Sequence, residues 1–187
     1  MDSARIVAFP SEPLISGAEE LGVPLDGAAA SRLLVLLDAL DEWNARMNLT
    51  AIRDRSQQIT KHLLDSLSAH VFLRGERIAD VGTGAGFPGL PLALVNPAKQ
   101  FTLLDATAKK LDFVGHMAGT LGLDNVVTVH DRVESWRPAA PFDVVLTRAF
   151  GPLERIVEWC GHLIDGTGRL LLMKGRLPAD ELERLPP

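Results

Sequence analysis

The sequence predicts an α/β fold, a parallel, doubly wound sheet preceded by a helical N-terminal extension. Three observations carry this. From about residue 77, short apolar runs alternate with stretches of helical periodicity, the pattern of a parallel sheet covered on both faces. A glycine-rich loop, Asp80-Val81-Gly82-Thr83-Gly84-Ala85-Gly86-Phe87-Pro88-Gly89, follows the first of those runs and opens a helical stretch. Before residue 77 the apolar residues recur only at helical spacing.

Residues 1–25 are broken by acids and by Pro10, Pro13 and Pro24. They predict a loose or partly ordered arm and contain no apolar core of a signal peptide. Asp26 is placed to cap a helix on which Leu33, Leu36, Leu37, Leu40, Trp43 and Met47 form a stripe. After the polar break Arg53-Asp54-Arg55-Ser56, a second helix carries Ile59, Leu63, Leu67 and Val71 on one face. Residues 26–73 thus form a helical extension packed on a core of residues 74–187, one compact domain overall. In that core the strands fall at Ile78–Val81, Phe101–Leu104, Val126–Val129, Val144–Leu146 and Leu170–Met173. Helical patterns lie between them at Leu90–Val95, Lys109–Leu121 and Leu153–Leu163.

The 187 residues are 47% hydrophobic and 23% charged, which excludes disordered and fibrous classes. No apolar run approaches the roughly 18 residues of a membrane span. The lone Cys160 excludes an internal disulfide and a cysteine zinc cage, and the five histidines lack ligand spacing, so no metal is expected. A cytoplasmic protein is expected. The net charge of −5 neither proposes nor excludes a nucleic-acid partner.

Within the loop, Gly84-Ala85-Gly86-Phe87-Pro88-Gly89 fits G-x-G-x-x-G. Alone the pattern is weak; between a strand and a helix it marks a place where a ligand approaches the backbone. Gly82, Thr83, Gly84 and Gly86 are the cradle. Asp105, at the end of the second strand, suits a ribose hydroxyl pair and does not distinguish NAD from S-adenosylmethionine (SAM). Asp80 does distinguish them. A carboxylate beside a pyrophosphate is repelled, whereas beside the ammonium and sulfonium of SAM it is favourable. Asp80-x-Gly82-x-Gly84-x-Gly86 therefore favours SAM, with another nucleotide or a purely structural turn as alternatives.

The remaining residues narrow the chemistry. Methylation at cytosine C5 needs a cysteine nucleophile, but Cys160 lies on the apolar side of a helix and reads as core. The loop after the fourth strand, Thr147-Arg148-Ala149-Phe150-Gly151-Pro152, lacks the Asn/Asp-Pro-Pro-aromatic pattern that serves exocyclic amines. It offers a cation, Arg148, rather than a base. That suits a target with a free lone pair, such as a purine N7, where alignment and exclusion of water are the main requirements.

Further motifs stand in order: Trp43-Asn44-x-x-x-Asn48-Leu49-Thr50, His62-x-x-Asp65-Ser66-Leu67, the glycine loop, Leu103-Leu104-Asp105, Arg132-Val133-Glu134, Thr147-Arg148-Ala149-Phe150 and Lys174-Gly175. From about residue 20 onward the chain closely resembles the ribosomal RNA small subunit methyltransferase G family, also called glucose-inhibited division protein B. The resemblance implies a class I, Rossmann-like SAM-dependent methyltransferase. Its implied reaction is methyl transfer from SAM to N7 of guanine 527, in the 530 loop of bacterial 16S rRNA. Its loss is associated in the family with low-level streptomycin resistance. The implied partner is 16S rRNA or the 30S subunit, with the protein a monomer. Carried over residue by residue, Gly82 and Phe87 contact SAM, Val133 and Glu134 contact its adenosine part, and Arg148 lines the methyl-transfer end.

Alternatives stay open at several positions. Phe87 also fits a core staple, Glu134 a helix cap and Arg148 a structural ion pair. His62, Asp65 and Ser66 share one helix face, which fits either a solvated surface or a wall closing over the pocket with Asn48 and Thr50. Lys109, Lys110, Arg132, Arg137, Arg148, Lys174 and Arg176 follow strand ends and are candidates for phosphate contacts. The resemblance further predicts an antiparallel C-terminal hairpin that the sequence lacks. The alternative functions are a SAM-dependent methyltransferase of another RNA or small molecule, a non-catalytic SAM-binding module, and an NAD-dependent oxidoreductase, the last disfavoured by Asp80.

Overall fold

A computed structural model describes residues 10–148 and 151–184. The expectations for residues 1–9, Ala149, Phe150 and 185–187 lie outside the described residues.

Within the stretch expected as a loose or partly ordered arm, the first element is a helix. Helix α1 (Glu12–Glu20) follows Ser11, with Pro13 in its first turn, where a missing N–H costs nothing. It buries Leu14 and Ala18 completely against the helices that follow. Prolines marked this stretch as irregular, but in a first turn proline is compatible with helix, and tertiary burial decides.

Asp26 caps α2 (Gly27–Met47) by accepting from the Ala29 N–H at 2.7 Å. Leu33, Leu36, Leu37 and Leu40 are fully buried along it. The helix ends where Asn48 takes a left-handed conformation, φ 51°. Asp54 caps α3 (Arg55–Gln58), which runs through a π-helical stretch, Ile59–Leu64, into α4 (Asp65–Leu67). Ile59, Leu63 and Leu67 are buried as predicted. Val71 is not: it lies in a short 3₁₀ turn, His70–Phe72, and is 51% exposed. The π stretch shifts the phase of the side chains, and α4 ends before Val71, so regular helical spacing does not extend that far.

The core then alternates: β1 (Arg77–Val81), α5 (Gly89–Val95), β2 (Gln100–Asp105), α6 (Ala108–Thr120), β3 (Val126–His130), β4 (Phe142–Arg148), α7 (Leu153–Cys160), β5 (Ile164–Met173) and the short α8 (Ala179–Leu182). All five predicted strands are present. They form one parallel sheet in the order β3-β2-β1-β4-β5. Ile78 of β1 aligns with Phe101 of β2 on one side and with Val144 of β4 on the other.

Strand alternation sends side chains to two cores. Ile78, Leu103, Val144 and Leu146 pack against α5, α6 and the N-terminal helices. Ala79, Val81, Leu104 and Val145 pack against Ile156 and Cys160 of α7. Both faces of the central strands β1, β2 and β4 are covered, which explains why they read as near-continuous apolar runs, while the edge strands β3 and β5 are more exposed. The chain runs outward from β1 to β2 and β3, then returns to place β4 on the other side of β1. The crevice over the carboxyl ends of β1 and β4 is the topological switch point, where ligands of such sheets bind.

Candidate active site

The glycine loop is tied down by the ends of the strands beside it. The N–H groups of Gly82 and Thr83 both donate to the Leu104 carbonyl, at 2.9 and 3.0 Å. Gly82 and Gly84 take φ of 70° and 61°, conformations that a side chain would strain. Asp80 binds both ends of the loop through one oxygen. Its Oδ2 accepts from the Thr83 hydroxyl at 2.7 Å and from the Gly89 N–H at 2.8 Å. Its Oδ1 is buried and has no hydrogen-bond partner. Burial pushes the Asp80 carboxyl up from 3.8 to about 6, against the opposing pull of the Thr83 and Gly89 hydrogen bonds. Asp105 accepts from Gly84 N–H at 3.0 Å and from Thr107 N–H at 2.8 Å, with the Lys110 ammonium 3.8 Å away.

Beyond the carboxyl ends of β1 to β4 lies a cavity of about 390 Å³. It brings together the predicted Gly82, Asp105, Val133, Glu134 and Arg148. It also collects Lys110, Arg132, Asp131 and Trp159. Sequence reasoning listed Lys110 and Arg132 only as phosphate contacts and missed Asp131 and Trp159. Asp131 directly follows β3, so the strand-end rule was a usable signal for it. Trp159 comes from α7 by tertiary packing alone. A larger depression of about 600 Å³ is walled by the consecutive residues Lys174–Glu181 and gathers none of these groups.

The other predicted site residues stand behind the cavity wall. The Thr83 hydroxyl is spent on Asp80 and the residue is 2% exposed, so its side chain shapes the loop and does not line the cavity. Asp80, Gly84 and Gly86 likewise build the loop from behind, and Gly86 leaves room for Leu90. Phe87 is buried in the larger core, so the staple reading describes its packing. The ring nevertheless supports the site. His62 stacks on it with centroids 4.9 Å apart and planes 22° apart, and the Arg148 guanidinium lies 5.8 Å from its centroid. Cys160 is fully buried and its thiol is pushed up to about 11, chiefly by burial, as its place on the apolar helix face predicts.

The face carrying His62 packs on Phe87 and Arg148 beside the cavity, and none of its residues lines the cavity itself. His62 and Ser66 are buried; Asp65 remains exposed at the edge. Asp65 Oδ2 accepts from Arg148 Nη1 at 3.0 Å, and the same nitrogen donates to the Lys61 carbonyl at 3.0 Å. His62 Nε2 lies 2.9 Å from the Thr50 hydroxyl, while its Nδ1 is buried without a partner. Burial, reinforced by Arg148, lowers His62 to about 4, so the imidazole is neutral. Thr50 is fixed by Asn44, which donates to its carbonyl at 2.8 Å and accepts from its N–H at 3.0 Å. Asn48 serves as the left-handed end of α2. Among the cations, Arg137 is committed to the Glu134 and Trp136 carbonyls, and Lys174 to the Gly151 carbonyl and Glu181. Lys110, Arg132 and Arg148 face the cavity.

The donor set fits a small cationic cofactor. An unpartnered buried carboxylate oxygen sits behind the loop, Asp105, Asp131 and Glu134 line the cavity, and its volume suits one small molecule. Among the described residues no group of His, Cys, Asp and Glu is arranged to hold a metal, and no helix is long and apolar enough to cross a membrane.

Sheet order, loop and cavity together define a class I SAM-dependent methyltransferase. The fold recurs in the crystal structure of coclaurine N-methyltransferase bound to N-methylheliamine and SAH, with a TM-score of 0.53 at 13% identity over 88% of this chain and 60% of that one. The model of the rRNA small subunit methyltransferase G family matches residues 29–186, and the chain belongs to that family. Similar relatives are the ribosomal RNA small subunit methyltransferases G of Nitrosococcus oceani and Aeromonas salmonicida. The first is 49% identical over 89% of this chain and 78% of its own length, the second 45% over 89% and 80%.

Proposed function

We propose that the chain transfers the methyl group of SAM to N7 of guanine 527 in the 530 loop of 16S rRNA, acting on the 30S subunit as a cytoplasmic monomer. The observation that carries the target atom is a cofactor cavity bordered by the cation Arg148, with neither His62 nor Cys160 among its lining residues. His62 is neutral but stacked on Phe87 and engaged with Thr50, and Cys160 is fully buried in the core beneath α7. A purine N7 offers a lone pair and no proton, so the chemistry asks only for alignment and exclusion of water. When bound, SAM supplies the electrophilic methyl on its sulfonium. Asp105 and Glu134 supply acceptors for its hydroxyl and amine groups, Val133 an apolar wall, and Asp80 a buried negative charge that favours a cationic ligand. Lys110 and Arg132 at the rim offer charge to RNA phosphates.

Methyl transfer from labelled SAM to 30S particles that lack this modification, with the labelled base mapped, tests the reading. Label on N7 of guanine 527 supports it. Label on another base, or none while SAM binds by calorimetry, overturns it in favour of a different substrate or a non-catalytic SAM module.

A further inference from the structure

Arg148 is held from three sides by the N-terminal helical segment and the glycine loop. Its Nη1 donates to the Lys61 carbonyl and to Asp65 Oδ2, each at 3.0 Å, which uses both hydrogens of that nitrogen. Its guanidinium lies over Phe87, and Phe87 is backed by the His62 ring. Nη2 and Nε have no hydrogen-bond partner among the described residues, and the side chain lines the cofactor cavity. One side of the guanidinium is therefore fixed by protein and the remaining donors are uncommitted.

A staple between the helical segment and the core would not need this chemistry. A leucine at position 62 would cover Phe87 without burying an imidazole whose Nδ1 finds no partner, a group that is costly to desolvate. His62 is in turn oriented by Thr50, which Asn44 fixes through two hydrogen bonds. The π-helical stretch brings the Lys61 carbonyl and the His62 ring to the same place, one on Arg148 and the other on Phe87. A π stretch inside a helix often marks a functional position.

We propose that His62 and Asp65 are positioning residues for methyl transfer: Asp65 aligns Arg148 directly, and His62 aligns it through Phe87. The proposal rests on the reading of the cavity as the methyl-transfer site and assigns the helical extension a part in it. Neither residue touches the reacting atoms.

The test measures SAM affinity by calorimetry and kcat and KM on 30S particles for Asp65→Ala, Arg148→Ala, their double variant, His62→Ala and His62→Phe. A displaced active-site group costs about tenfold to a hundredfold in rate. Asp65→Ala and His62→Ala are expected to lose about tenfold or more in kcat with KM for the particle within about threefold. His62→Phe, which keeps a flat ring on Phe87, is expected to recover most of that loss. Since Asp65 acts through Arg148, the double variant is expected to be no worse than Arg148→Ala alone, whether read in kcat or in SAM affinity. Losses that multiply in the double variant overturn the proposal. So do Asp65→Ala and His62→Ala variants within twofold of wild type, or an Arg148→Ala variant that changes neither quantity. A wild-type chain that labels no guanine N7 refutes the functional reading instead. The SAM-affinity cycle, which needs no RNA, then decides the alignment of Arg148 by the same criterion.

Discussion

Replacing Asp80 by asparagine isolates the energetics of the loop. The folded chain holds this carboxyl's proton to about pH 6, against 3.8 ordinarily, because the group is buried. A group whose proton is bound more tightly in the folded state stabilises the fold while it is protonated in both states, below about pH 4. As pH rises to about 6, the unfolded chain loses the proton first, and the advantage disappears. Between those limits the difference in proton affinity corresponds to about 3 kcal/mol of stability. Asparagine is nearly isosteric, and its Oδ1 can still accept from Thr83 and Gly89, but it has no proton to lose. The stability of Asp80→Asn relative to wild type should therefore increase by about 3 kcal/mol between pH 4 and pH 7.5. Groups titrating identically in both proteins cancel in that comparison. Urea unfolding of both proteins at the two pH values, followed by tryptophan fluorescence, measures it. SAM affinity should fall at least about tenfold in the same variant, because the negative charge behind the loop that favours a cationic ligand is gone. A relative stability that is flat with pH, or that moves the other way, would refute the assignment of Asp80 as a buried, reluctantly ionised carboxylate.

Further outcomes can be checked with the same instruments. Gly84→Val places a β-branched residue at φ 61°; it should cost about 1–3 kcal/mol of local strain and lower SAM affinity at least about tenfold by calorimetry. Cys160→Ala should leave SAM affinity within about twofold and cost about 1–2 kcal/mol in urea unfolding, since it only opens space in the core beneath α7; in the wild-type fold the buried thiol should resist a thiol reagent. Asn44→Ala removes both hydrogen bonds to the Thr50 backbone and should cost about 2 kcal/mol, measured by the same unfolding assay.

The strands and the loop were legible because burial, on both faces in the central strands, and a ligand-approaching backbone each leave a local mark. Short apolar runs, richest in β-branched residues at β3 and β4, stand at the strands, and glycines occupy positions of positive φ. Cys160 was legible for the same reason, since helical phase alone placed it in the core. α1 was not, because proline in a first turn resembles proline in a loop until Leu14 finds the core it buries in. That the Thr83 hydroxyl turns to Asp80 was not legible, because sequence gives the loop its residues but not the direction of each side chain.

By itself the sequence determined the sheet, its covering helices, the cofactor loop with Asp80 and Asp105, and, through motifs spread along the chain, the family. What only tertiary structure decided is how the segments meet. Whether His62, Asp65 and Ser66 faced water or the site was undetermined by spacing, since a helix face carries no record of its neighbour. Folding placed His62 against Phe87, 25 positions away, and Asp65 against Arg148, 83 positions away, and brought Trp159 into the cavity. The reason is physical: periodicity reports how a segment divides between apolar and polar sides. A polar side is buried only where another part of the chain supplies hydrogen bonds and charge to match it, and that pairing exists only in the folded molecule.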